Sequence, residues 1–332
     1  MKRTNVLMVA FAILTMSLIV WQRNTVEQNE GNEILLPGLG ENLAGLERLE
    51  IRSADEVVSL ELREGKWLIS EKGGYPADFS MLSRLSDSLV EALLAEKKTA
   101  RAKNFSRLDV DDIDAAGSGA HLISGLAGEY SFSILIGKSA AGRTGQFVRD
   151  PLQQQVWLTD NNIEVNSAVS AWLDPVIINV EASMISRVEQ IDSSGQSQFV
   201  IEREDDKFLL KNLTDDRKLK YATVVSEVAG SLSRVRLTDV QVHDPERWTS
   251  ATRSIFHLSE SKTITVSAIT LDDQKWLHME EKSAGEDLEP SALSHLKNWD
   301  YQVAAYTYDD FVKRREDLLE KETTAKVERQ AD

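Results

Sequence analysis

The chain has 332 residues, a formal charge of −16 and no cysteine. That charge excludes a nucleic-acid partner, because a polyanion is repelled and no basic stripe offsets the repulsion. The missing cysteines exclude disulfides, thiolate nucleophiles and thiolate zinc sites together, while a 42% hydrophobic fraction is enough for packed cores and excludes global disorder.

Residues 1–5 carry Lys2 and Arg3, and Val6 to Trp21 then reads VLMVAFAILTMSLIVW without a charge. A bilayer core about 30 Å thick asks for roughly 20 apolar residues, with a range that begins near 17. The uncharged run from Thr4 to Gln22 meets that length. Ile19, Val20 and Trp21 stand where a signal peptidase wants small residues, so residues 6–22 are predicted to be an uncleaved transmembrane signal anchor. No cysteine follows, which excludes a lipoprotein. The two basic residues favour a cytoplasmic amino end of residues 1–5. The C-terminal bulk is then expected on the periplasmic side of a bacterial cytoplasmic (inner) membrane, as a single-pass protein. Residues 23–44 are polar and then Gly- and Pro-punctuated, and read as a linker.

From Leu46 the pattern becomes that of strands. Leu49 and Ile51 alternate with Arg48, Glu50 and Arg52; Val58, Leu60 and Leu62 alternate with Ser59, Glu61 and Arg63. Glu64-Gly65 turns the chain into Trp67 and Ile69, so an antiparallel meander with one wet face is predicted. Pro76-Ala77-Asp78 then opens a helix carrying Phe79, Leu82, Leu85, Leu89 and Leu93 at helical spacing. Tyr130, Phe132, Ile134 and Ile136 alternate again, a Gly-rich turn from Gly137 to Gly145 follows, and Phe147–Arg149 and Val156–Leu158 read as further strands. A second short helix is predicted over 162–173.

The order then repeats about 140 residues on. Val188 and Ile191 mark a short strand, Phe199 and Ile201 a second, and Phe208 and Leu210 a third. Tyr221, Val224, Val225, Val228 and Leu232 mark a helix. Ile264, Val266 and Ala268 alternate, Trp276-Leu277 sits on a strand, and a closing helix is predicted over 290–299. Leu60–Glu64 aligns in kind with Val200–Glu204, and Trp67 with Phe208. The second copy lacks the Gly-rich hairpin extension of the first. Tyr301, Val303 and Ala305 suggest a last strand, and Asp309-Asp310 a cap for a helix from Phe311 to Leu319. The fold class read from this is α+β: two tandem related modules, 45–180 and 181–319, of antiparallel sheet covered on one face by helices, with a charged tail over 320–332.

These residues carry a resemblance. Gly65-Lys66-Trp67-Leu68, Tyr75-Pro76-Ala77-Asp78, Leu135-Ile136-Gly137, Val156-Trp157-Leu158, Trp299–Val303 and Lys313–Leu319 together resemble a bacterial family known as domain of unknown function forty-three-forty. Where that family has a GL-x-x-P loop, this chain has Arg107–Asp111 without a proline. The resemblance implies one amino-terminal membrane helix and a neighbourhood of ABC-type export components and gliding-motility-like auxiliary proteins. It transfers no catalytic residue.

Candidate chemistry is sparse. Asp109, Asp111, Asp112 and Asp114 invite a calcium reading, yet Asp114 occupies the position where an EF-hand needs Gly, and Ala120 the position where it needs Glu. His121, His243, His257, His278 and His295 include no pair at helical zinc spacing, and His243-Asp244-Pro245 reads as a turn. Gly137-Lys138-Ser139 lacks the glycine that a phosphate loop needs five residues earlier. Gly117-Ser118-Gly119 is too short for a nucleophile elbow. Trp67, Trp157, Trp172 and Trp276 each sit in a core-like pattern. No catalytic, cofactor-binding or metal-binding residue is assigned, and no cofactor is expected. The leading expectation is a non-catalytic membrane-anchored periplasmic binding or scaffold protein, an accessory to an ABC-type transport or other envelope complex. Its partners would be the membrane, through the amino-terminal helix, and a protein of that complex. The alternative is an envelope hydrolase of glycan or peptide using an unmarked carboxylate pair.

Overall fold

A computed structural model describes residues 33–258, 262–283 and 292–321. The anchor expected over 6–22 lies outside the described residues, and no helix among those described is long and apolar enough to cross a membrane. The chain divides into two compact units, one ending at Leu173 and the next beginning at Asp174.

The first unit contains β1 (Glu33–Ile34), β2 (Leu46–Arg52), β3 (Val57–Arg63), β4 (Lys66–Ile69) and β5 (Tyr75–Pro76), then helix α1 (Phe79–Glu91). It continues with β6 (Leu93–Lys97), β7 (His121–Ala127), β8 (Tyr130–Ser139), β9 (Gln146–Arg149) and β10 (Val156–Thr159). These ten strands form one antiparallel sheet in the order β1-β6-β10-β9-β8-β7-β2-β3-β4-β5.

The second unit contains β11 (Val176–Ile178), β12 (Ile185–Ile191), β13 (Ser197–Glu204) and β14 (Lys207–Leu210), then helix α2 (Val224–Ala229). There follow β15 (Val235–Arg236), β16 (Asp239–Val242), β17 (Thr252–Leu258), β18 (Lys262–Leu271), β19 (Gln274–Ser283) and β20 (Trp299–Val303). Eight of these make a sheet in the order β14-β13-β12-β17-β18-β19-β20-β16, while β11 and β15 pair separately. Started from β4, the first sheet runs β4-β3-β2-β7-β8-β9-β10-β6. Eight strands of one unit therefore have counterparts in the other, in the same spatial order and the same chain order.

The alternating segments become strands because alternation puts every second side chain on a buried face. Val58 and Leu60 on β3, and Phe199 and Ile201 on β13, are all buried. Each meander turns on residues in the left-handed region, Glu64 (φ 51°) with Gly65 (φ 76°) and Asp205 (φ 54°), as two-residue hairpins favour. Asp78 caps α1 by accepting from the Ser80 N–H at 2.9 Å, and Leu82, Leu85 and Leu89 face the core. Phe79, expected on that face, is 66% exposed, and Leu93 belongs to β6 rather than to the helix.

Several expectations are corrected. Pairing sets Leu49 opposite Leu60 and Val188 opposite Ile201, so Leu60 corresponds to Ile201 and not to Val200. The alignment of Leu60–Glu64 with Val200–Glu204 is thus one residue out of step, which would have turned every side chain to the wrong face. No α-helix forms over 162–173; only Val169–Trp172 makes a 3-10 turn. Asn166 diverts the backbone there, its side chain accepting from Ala168 N and its carbonyl from Trp172 Nε1. Of the helix expected over 290–299, the described part is a 3-10 turn, Ser294–Asn298, and Trp299 opens β20. Ala305 starts a short helix, Ala305–Asp309, and the chain from Phe311 to Leu319 has only a 3-10 turn at Arg315–Leu318. The Arg315 guanidinium reaches Lys211 O and Asn212 O, and Leu319 bridges Leu219. Those long-range contacts hold the segment extended against its helical pattern. The second unit does lack the Gly-rich extension of the first: where residues 140–145 link β8 to β9, Asp272-Asp273 alone (φ 48° and 63°) closes the hairpin between β18 and β19.

The sheets are also not bare on the face opposite the helices. The chain between β6 and β7 crosses that face in the first unit, where Phe105 and Val110 pack on Val156. The chain between β16 and β17 makes the equivalent crossing in the second, where Trp248 packs on Ala251, Ile269 and Trp276.

Candidate functional site

The crossing in the second unit assembles a cluster of ionisable groups. His243 N, just past β16, donates to Asn298 O at 2.9 Å. Asp244 then caps a 3-10 turn, Pro245–Trp248, by accepting from Glu246 N, and pairs with Arg247 Nε at 3.3 Å. This folds the His243 ring over His278 of β19 and Asp300 of β20, which are directly paired residues of adjacent strands. The two imidazoles stack with centroids 3.7 Å apart and planes 19° from parallel. Trp248 tilts against His278 with centroids at 5.5 Å.

Asp300 is 0% exposed. Burial pushes its pKa up, but hydrogen bonds from His278, His243 and the Asp244 amide, with the Trp248 indole N–H turned toward it, outweigh that and hold it below the usual carboxylate range. An ionised carboxylate only accepts, so His243 Nδ1, at 2.6 Å from Asp300 Oδ1, carries a proton. His278 Nδ1 lies 3.3 Å from the same oxygen and 3.1 Å from Trp299 O, two acceptors, so it too is a donor. Asp244 N reaches Oδ2 at 3.3 Å. Trp248 Nε1 faces the same carboxylate but is buried without a hydrogen-bond partner.

His243, His278 and Asp300 place their potential ligand atoms within 4.8 Å of one another. A tetrahedral zinc holds N and O ligands about 2.0–2.2 Å away, and so roughly 3.3–3.5 Å from each other. The 2.6 Å His243–Asp300 separation is a hydrogen bond instead, and both Nδ1 atoms carry the protons that a metal would have to displace. In this arrangement the two Nδ1 atoms and Asp300 Oδ1 are engaged with one another and with Trp299 O, and do not converge on an ion. As a catalytic device the cluster has the histidine–carboxylate half of a triad. Among the described residues no hydroxyl is hydrogen-bonded to either imidazole, and Asp300 is closed to solvent. The arrangement fastens the crossing chain to the sheet.

The first unit solves the same problem with different chemistry. Counting along paired residues, Leu135–Arg149–Val156 occupies the rung that Ser267–His278–Asp300 occupies in the second. Arg149, 3% exposed, donates from Nε to Val110 O and from Nη1 to Gln153 O, both at 2.9 Å. It also pairs with Asp112 and stacks on Phe105, with Cζ 4.6 Å from the ring centroid. The acidic run is thus engaged by arginines: Asp112 by Arg149, and Asp114 by Arg52 at 2.6 Å. Gly137 lies in β8 against the Leu108 and Asp109 carbonyls, part of the crossing-chain contact and not of any phosphate loop. A cleft of about 750 Å³ beside α1 is lined by Met81, Arg84, Asp87, Glu91, Asn161 and Val165 among others.

Sequence reading places His243 in a turn, His278 near a strand and Asp300 in a closing strand motif, without joining them. Their separations of 57 and 22 residues follow no local pattern. The available signal was polarity in buried places: His278 between Leu277 and Met279, and Asp300 between Trp299 and Tyr301.

The fold and this cluster define the class: an α+β protein of two antiparallel units with one strand order, each with a buried polar residue pinning its crossing chain. The model of the family described as Domain of unknown function (DUF4340) matches residues 67–252, more than half of the chain, and the chain belongs to that family. The match spans parts of both units and includes His243 but not His278 or Asp300. Comparison with curated proteins and with solved structures found no match.

Proposed function

We propose that this protein is a non-catalytic binding or scaffold subunit, held on the periplasmic face of a bacterial inner membrane by residues 6–22. It serves as an accessory to an ABC-type transport or other envelope complex. The two units, which share eight strands in one order, descend in this reading from a duplicated module. The observation that carries the non-catalytic reading is the missing nucleophile: among the described residues no hydroxyl is hydrogen-bonded to His243 or His278, so the one convergent histidine–carboxylate set has nothing to activate. Each sheet also ends in an edge strand, β14 and β16 in the second unit, the kind of element to which a partner's strand adds. The uncharged run from Val6 to Trp21 and the family resemblance support the location and the neighbourhood. Cross-linking of the tagged full chain in intact membranes tests the reading: it expects an envelope protein as the adduct. Absence of any adduct, with turnover of a glycan or peptide by the purified full chain, would overturn it.

A further inference from the structure

We propose that the His243–Asp300–His278 stack is a pH-sensitive latch that releases the 243–251 crossing from the outer face of the second sheet in mildly acidic conditions. The inference rests on geometry and stands whether or not the scaffold reading holds. Two imidazoles lie 3.7 Å apart, nearly parallel, on a single carboxylate oxygen. One added proton on the pair is balanced by Asp300. A second puts two cations in van der Waals contact with only one anion to share, and that anion is shut off from water. Histidine is the side chain whose ordinary titration falls in this range.

Among the described residues no other group close by supplies the missing negative charge. On the turn after β16, Asp244 is committed to Glu246 N and Arg247, and Arg247 is itself a cation. Glu246 is exposed on that turn. On β19, Glu280 pairs with Lys282 at 3.1 Å. On β18 the residue paired with His278 is Ser267, and on β16 the residue paired with Asp300 is Gln241, both uncharged. The turn before β20 adds Lys297 and His295, whose Nδ1 contacts Ala292 O. The surroundings therefore favour ejecting one ring. His243 is the freer of the two, its side chain 21% exposed against 11% for His278, and it sits where the crossing begins. Its departure would free Trp248, whose unpaired Nε1 gains water when exposed.

The test is hydrogen exchange of the full chain in detergent at about pH 7.5 and about pH 5, corrected for the intrinsic pH dependence of exchange. Protection of amides 243–251 is expected to fall about tenfold or more at the lower pH, while β12 and β13 keep theirs. His243→Gln keeps a donor for Asp300 without a titrating ring, and His278→Gln does the same from the strand side; either substitution should abolish the fall. If one variant fails to fold, the other decides. Unchanged protection in the wild type, or a fall that persists in a folded variant, would overturn the latch.

Discussion

Replacing Asp300 should destabilise the second unit, because its carboxylate answers several donors at once in a place water does not reach. Asp300→Ala leaves the N–H groups of His243, His278 and Asp244 facing an empty apolar space. Each unpaired buried donor costs about 1–3 kcal/mol. Relief of the buried charge returns part of this, and the histidines recover some by turning to other acceptors, so a net loss of about 2–4 kcal/mol is expected. Asp300→Asn should cost less, about 1–3 kcal/mol, since its carbonyl still accepts from one imidazole while its amide meets another N–H. Urea unfolding of the full chain in detergent, followed by exchange at amides of β19 and β20, reads the difference in the right unit. A change under about 0.5 kcal/mol for Asp300→Ala would refute the account, because such values belong to surface positions. The same carboxylate gives a pH signature. Its folded pKa lies below the ordinary value of 3.8, so its contribution is complete above that pH and is lost as pH falls through the lower folded value. Asp300→Asn should flatten the stability curve below about pH 4.

Gly137→Ala would place a Cβ 2.2 Å from Leu108 O and 2.6 Å from a Val110 methyl, so backbone must move, and a loss of about 2–4 kcal/mol in thermal or urea melts is expected. Gly125→Ala meets only the Phe132 ring edge, at 2.2 Å, which can rotate away, and should cost less than half as much. Arg149→Lys, though it keeps the charge, cannot span Val110 O, Gln153 O and Asp112 together; it should lower stability by about 2–4 kcal/mol and open residues 105–114 to limited proteolysis. Burial pushes the His121 pKa below 6.5, so the fold resists its protonation and stability falls as pH drops below that value toward the lower folded pKa; His121→Gln should flatten that fall in melts taken below about pH 6.5.

Much of the fold was legible where local pattern and tertiary burial agree. The alternation at Val58 and Leu60, the Glu64-Gly65 turn and the Asp78 cap all appear as read. What failed did so for nameable reasons. Val200 for Ile201 was a slip of one residue, hidden because Phe199, Val200 and Ile201 are all apolar and only the ladder to Val188 fixes which one faces inward. Residues 162–173 have helical spacing of apolar side chains, yet Asn166 satisfies its own neighbours' backbone first. Phe311–Leu319 follows Arg315 to the carbonyls of Lys211 and Asn212, partners about a hundred residues away that no window reveals. The site was least legible. His243, His278 and Asp300 meet only because β16, β19 and β20 are neighbours at one end of the sheet, and spacing carries no trace of that adjacency.

The central claim is that this protein works by contact, through surfaces such as the edges of its sheets. Photo-cross-linking from Val242, 59% exposed on edge strand β16, and from Leu209, 42% exposed on edge strand β14, tests it in intact membranes with the full chain. The account predicts a discrete adduct with an envelope protein from at least one edge position, and none from the buried control Leu60. No adduct from either edge, in membranes where the function depending on the protein is intact, would contradict it.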